Sequence, residues 1–82
     1  MGRGMSTPAL QQRLATNIRR LRQSRSLSQD ELSSRAGLAV RHLQKLEAGE
    51  INATLRTLAA LAGALHVDPE ILLQEPGRDK GR

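Results

Sequence analysis

The sequence predicts an all-α fold, on three observations. Fourteen of its 82 residues are Leu and ten are Ala, types that lose little on entering a helix. Strand-favouring residues are nearly missing: three Ile, two Val and no Phe, Tyr or Trp. The apolar residues recur at three- and four-residue spacing between capping residues and glycines. One domain is expected over 7–74, flanked by a polar, Gly-rich segment at 1–6 and a Pro/Gly/charged tail at 75–82, both expected to be disordered or frayed. A core without aromatics must be assembled from many medium-sized contacts.

The elements follow from local chemistry. Thr7-Pro8 reads as a helix entry, with Thr as N-cap and Pro in the first helical position, where its missing N–H costs nothing. Leu10, Leu14, Ile18 and Leu21 then form one stripe to about Ser24. Leu27-Ser28-Gln29-Asp30-Glu31-Leu32 has the form of a capping box: Ser28 serves the Glu31 N–H, Glu31 reaches back to Ser28, and Leu27 and Leu32 staple the entry. Gly37 ends this second helix in the left-handed conformation. In the third helix Leu43 and Leu46 face one way, and Val40, Arg41, Gln44 and Lys45 the other. It stops at Ala48-Gly49. Thr54 caps a fourth helix whose inner stripe reads Leu55, Leu58, Leu61, Ala62 and Leu65, and His66 closes it. Asp68-Pro69 opens a short fifth. No internal repeat is present.

Composition excludes several classes of function. Without Cys there is no disulfide framework, no Cys-ligated metal and no thiol nucleophile. His42 and His66 lack ligand spacing, and no nucleophile–base pair or Gly-rich phosphate loop occurs, so neither metal, cofactor nor enzymatic activity is expected. No apolar stretch is long enough for a bilayer, and the N-terminus lacks the apolar region of a signal peptide; a soluble cytoplasmic protein is expected. Charge points to a partner. The net charge is +5. Residues 1–46 hold nine bases and two acids, for +7, whereas 47–82 hold four bases and six acids, for −2. Eleven of the thirteen bases are Arg, suited to forked contacts with phosphate or guanine. One face is therefore expected to meet a polyanion.

Two short helices around a Gly-containing turn are the pattern of a helix-turn-helix. Here the sequence resembles the lambda-type repressors, Cro proteins and xenobiotic-response-element (XRE) regulators. The likeness runs from Ile18-Arg19-Arg20-Leu21-Arg22 through Leu27-Ser28-Gln29-Asp30-Glu31-Leu32, Ala36-Gly37-Leu38 and Leu43-Gln44-Lys45-Leu46-Glu47-Ala48-Gly49. It ends with Thr54-Leu55 and Leu65-His66-Val67-Asp68. The resemblance implies a compact five-helix packing and a bacterial or phage transcriptional regulator, repressor-like and nucleoid-associated. Such a regulator acts as a homodimer on a pseudo-palindromic double-stranded DNA operator, with the third helix in the major groove. It implies base contacts from Val40, Arg41, Gln44 and Lys45: Arg41 to guanine, Gln44 to adenine, Lys45 to guanine or phosphate, Val40 to a thymine methyl. It implies backbone contacts near Gln29, Arg19, Ala39 and Asn52, and an ion pair between Arg22 and Glu47. Leu72 and Leu73 are expected at a dimer contact, one inward and one shared with the partner.

Two positions depart from the family pattern. Ala39 stands where Ser or Thr normally caps the third helix, a loss of about 1 kcal/mol. Ala53 replaces the usual proline before the fourth. A chain ending so soon after the DNA-binding unit fits a small stand-alone regulator without a ligand-sensing domain, and equally a domain excised from a longer protein. The alternative reading is a protein-interaction module, such as an antitoxin covering its toxin or a coactivator bridging to a larger regulator. The two differ on the exposed face of the third helix, where polar side chains favour DNA and an apolar stripe would favour protein.

Overall fold

A computed structural model of the chain describes residues 4–77. The disorder expected for 1–3 and 78–82 lies outside the described residues. Five helices and no strand occur among them: α1 Thr7–Ser24, α2 Gln29–Ala36, α3 Val40–Glu47, α4 Leu55–Leu65 and α5 Pro69–Leu73. Helix α1 packs on α3 and α5, α2 on α3 and α4, and α4 on α5. Between them lies one aliphatic core, in which Ile18, Leu32, Leu43, Leu61, Leu65 and Leu72 are wholly inaccessible to solvent.

The caps explain the boundaries. Ser28 Oγ accepts from the Glu31 N–H at 2.9 Å, and Glu31 Oε1 accepts from the Ser28 N–H at 2.8 Å, so both halves of the box are made. Thr54 Oγ1 accepts from the Thr57 N–H at 3.1 Å and starts α4. Gly37, at φ 71°, ends α2; the Leu38 N–H reaches the Ser33 carbonyl at 2.8 Å, and the Gly37 N–H that of Ser34. The same paired closure ends α1 around Ser26 (φ 56°) and α4 around His66 (φ 59°).

Hydrogen bonding from the Ser28 N–H, then from its hydroxyl, with the charge of Arg35 adding, holds the Glu31 carboxyl below its ordinary value of 4.5. A carboxyl lowered on folding stabilises the folded state above its ordinary pKa, and that contribution is lost as pH falls through the lowered value. The melting temperature should therefore fall more on acidification from pH 7 to 3 in the wild type than in Glu31→Gln. Equal slopes in thermal melts of the two proteins would contradict this.

Three expectations are corrected. The N-cap of α1 is Ser6, one residue earlier than Thr7; its Oγ accepts from the Ala9 N–H, which moves Pro8 into the second helical position, still within the turn that lacks intrahelical acceptors. Leu10 is 37% exposed, because the N-terminal turns of α1 extend past the core. Leu55 is 83% exposed rather than on the inner stripe of α4. It is the first helical residue and stands roughly a quarter turn from the centre of the buried arc, where Thr57 takes the inward place. Of the pair expected at a dimer contact, Leu72 is the inward one, 0% exposed within the monomer and closed to a partner, and Leu73 beside it is half-buried.

The buried polar residue Asn17 is a tertiary clamp. It lies three residues after Leu14 and four before Leu21, on the apolar stripe of α1, and is 0% exposed. Its Nδ2 donates to the carbonyls of Leu72 and Gln74, both at 2.8 Å, and Arg13 donates to that of Leu73. These bonds satisfy the open C-terminal end of α5, which is too short to hold itself.

Candidate nucleic-acid interface

Helix α3 has two unlike faces. Leu43 (0% exposed), Leu46 (1%) and Glu47 (3%) are held inside. Arg41, Gln44 and Lys45 are exposed, and Val40 and His42 are half-buried at the margins. Ala39 holds the N-cap position without a side-chain hydrogen bond, leaving the start of α3 to be closed by other means. A shallow concavity of about 380 Å³ runs along this face, lined by Ala39, Arg41, His42, Lys45 and Ile51.

The helix is fixed from beneath by charge. Arg22 Nε donates to Glu47 Oε2 at 2.7 Å and Nη2 to Oε1 at 3.0 Å, while Nη1 donates to the Leu27 carbonyl at 2.9 Å. The fork thus joins α1 to α3 and to the turn entering α2. Burial makes this bidentate geometry matter, since an interior carboxylate without donors would be strongly unfavourable. Gln29, at the first position of α2, adds a third donor to Glu47 Oε1 at 2.9 Å and stands 3.4 Å from the Gln44 amide. Arg19 donates to the Glu47 main-chain carbonyl and so serves the C-terminal end of α3.

The turn after α3 is also tied to α1. Asn52 is exposed, and its Oδ1 accepts from Gln11 Nε2 at 2.8 Å. Gly49, at φ 73°, lies against the Gln12 amide, where a β-carbon would collide. The backbone-contact candidates Gln29, Arg19 and Asn52 therefore all carry bonds within the protein. Sequence reasoning did not bring out Gln11, Gln12 or Asn17, nor the link from Glu47 through Gln29 to Gln44. Only Asn17 carried a signal, as a polar residue on an apolar stripe.

A helix with an exposed basic face, seated on a second helix across a glycine turn, defines a helix-turn-helix DNA-binding protein. Comparison with known proteins gives the family. The sequence model of the HTH_3 helix-turn-helix family matches residues 18–72, and the chain belongs to that family; it is an XRE-type transcriptional regulator, not an enzyme. It is 41% identical over 54 residues to an uncharacterized HTH-type transcriptional regulator of Sinorhizobium fredii, covering 66% of this chain and 70% of the relative. It is 39% identical over 64 residues to the control protein C.SmaI of Serratia marcescens, covering 78% and 76%. Among solved structures, the restriction-modification controller C.AhdI of Aeromonas hydrophila superposes with a TM-score of 0.75 at 31% identity, over 78% of this chain and 97% of that one. An HTH_3 regulator of Vibrio cholerae superposes with a TM-score of 0.79 at 27% identity; the match covers 82% of this chain but 38% of that longer one. No helix among the described residues is long and apolar enough to cross a membrane.

Proposed function

We propose that the protein binds a pseudo-palindromic DNA operator sequence-specifically, as a homodimer, and represses transcription with α3 in the major groove. The observation that carries this reading is the two-faced α3: Arg41, Gln44 and Lys45 stand exposed on a helix whose other face is locked into the core. In this reading Arg41 donates two bonds to guanine, Gln44 reads adenine, Lys45 meets guanine or phosphate, and Val40 touches a thymine methyl. Gln29, Arg19, Ala39 and Asn52 lie along the phosphate backbone. Likeness to a control protein and a restriction-modification controller supports a regulatory role of this kind.

Dimerisation is assigned to the face that carries Leu73. There Leu10, Leu14, Ala53, Leu58 and Leu73 line an open groove of about 400 Å³, and Leu55 of the same α4 is exposed. Binding to adjacent half-sites requires that this dimer set its two α3 helices about 34 Å apart, one turn of duplex.

Binding selection from a random duplex library at two salt concentrations tests the reading. A two-fold-symmetric motif with half-sites one helical turn apart is expected. Enrichment without a motif, vanishing steeply with salt, would leave only the electrostatic term and favour a protein partner such as a toxin or larger regulator. On the selected site Arg41→Ala should cost about 1–3 kcal/mol and relax base preference at one position. An equal loss on every duplex would make Arg41 a phosphate contact.

A further inference from the structure

Gln29 connects the interior ion pair to the exposed face of α3. Its Nε2 donates to Glu47 Oε1 at 2.9 Å, and its Oε1 accepts from Gln44 Nε2 at 3.4 Å. The direction of this chain is forced. A carboxylate has only acceptors and a guanidinium only donors, and Glu47 is 3% exposed with both oxygens already held by Arg22. An amide meeting that carboxylate must turn its nitrogen inward, so Gln29 turns its oxygen toward Gln44. Gln44 must then give one N–H to Gln29, which leaves its own oxygen and its second N–H for an outside partner.

We propose that Arg22, Glu47 and Gln29 form a polar relay that sets the amide of Gln44 in one orientation, with Gln29 as the positioning residue that makes Gln44 selective for adenine. Adenine presents an acceptor at N7 beside a donor at N6, and the free N–H and oxygen of Gln44 match that pair. Guanine presents two acceptors, O6 and N7, and is mismatched by an amide that cannot turn over. A Gln44 without the relay could offer its amide either way round, and its preference would weaken. The inference rests on α3 reading the major groove.

Selection with the unaltered protein comes first. Absence of any motif overturns the groove reading, and the relay with it. Given a motif, Gln44→Ala should erase selection for adenine at one position of each half-site; loss at a different base, or at none, overturns the relay while leaving the groove reading standing. Gln29→Ala, and Gln29→Met, which keeps the length of the side chain but not its amide, are then compared on duplexes carrying each base at that position. A preference of roughly tenfold for adenine should fall several-fold in both variants, while selection at the Arg41 position is unchanged. In the Gln44→Ala background neither Gln29 substitution should alter base preference. A uniform loss of affinity on all four duplexes, with adenine preference intact, overturns the relay and leaves Gln29 a phosphate contact.

Discussion

Replacing Arg22 by alanine is expected to cost about 3 kcal/mol of stability and to lower the melting temperature by roughly 10–20 °C in a domain of this size. The substitution strips three donors from the interior: two from Glu47 and one from the Leu27 carbonyl. Glu47, 3% exposed, would keep only the Gln29 amide among its side-chain partners shown here, and an interior carboxylate so poorly served is strongly unfavourable. DNA binding should fall as well, because α3 loses its bidentate side-chain tie to α1 and keeps only the Arg19 bond to the Glu47 carbonyl and the packing between the two helices. The double replacement of Arg22 by Met and Glu47 by Leu should behave differently. Removing both charges together avoids the orphan, so stability should return to within about 1 kcal/mol of the wild type, or exceed it. Thermal melts of the three proteins decide the matter. An unchanged melting temperature in Arg22→Ala, with weakened binding, would make Arg22 a direct DNA contact instead.

Leu43→Ala is expected to cost about 2–5 kcal/mol, from lost burial and the cavity left behind. Leu43 is 0% exposed on the inner face of α3, so part of the loss should appear as misplacement of Arg41 and Gln44, the exposed residues on either side of it. Leu55→Ala, the same chemical change on α4, should stay within about 0.5 kcal/mol, because Leu55 is 83% exposed. Denaturant titration of both variants tests the contrast. A large effect at Leu55 at low concentration would count against its exposure in the monomer. An effect that grows with protein concentration would place Leu55 in an interface between copies.

Both residues were assigned to inner stripes by the same spacing argument, and the difference between them marks how far that argument reaches. Periodicity finds the apolar arc of a helix, but not where along the helix its neighbours stop. Leu10 and Leu55 sit at the N-terminal ends of their helices, where the core has already given way to solvent. Leu72 is the inward residue of its pair: α5 is short, yet Asn17 and Arg13 hold its end and Leu72 is fully enclosed.

By itself, the sequence determined the all-α class, five short helices, the capping box at Ser28 and Glu31, and the cationic outer face of α3. Those are decided by interactions within a few residues: a hydroxyl three positions from an N–H, a glycine free to take positive φ, side chains spaced by the turn of the helix. Tertiary structure alone decided which stripe residues are enclosed, and that Glu47 is joined through Gln29 to Gln44. Those depend on groups fifteen or more residues apart in the chain being brought together by the packing of α2 and α3. The buried Glu47 carboxylate, which can only accept, gives that chain of ordinary polar side chains one permitted direction.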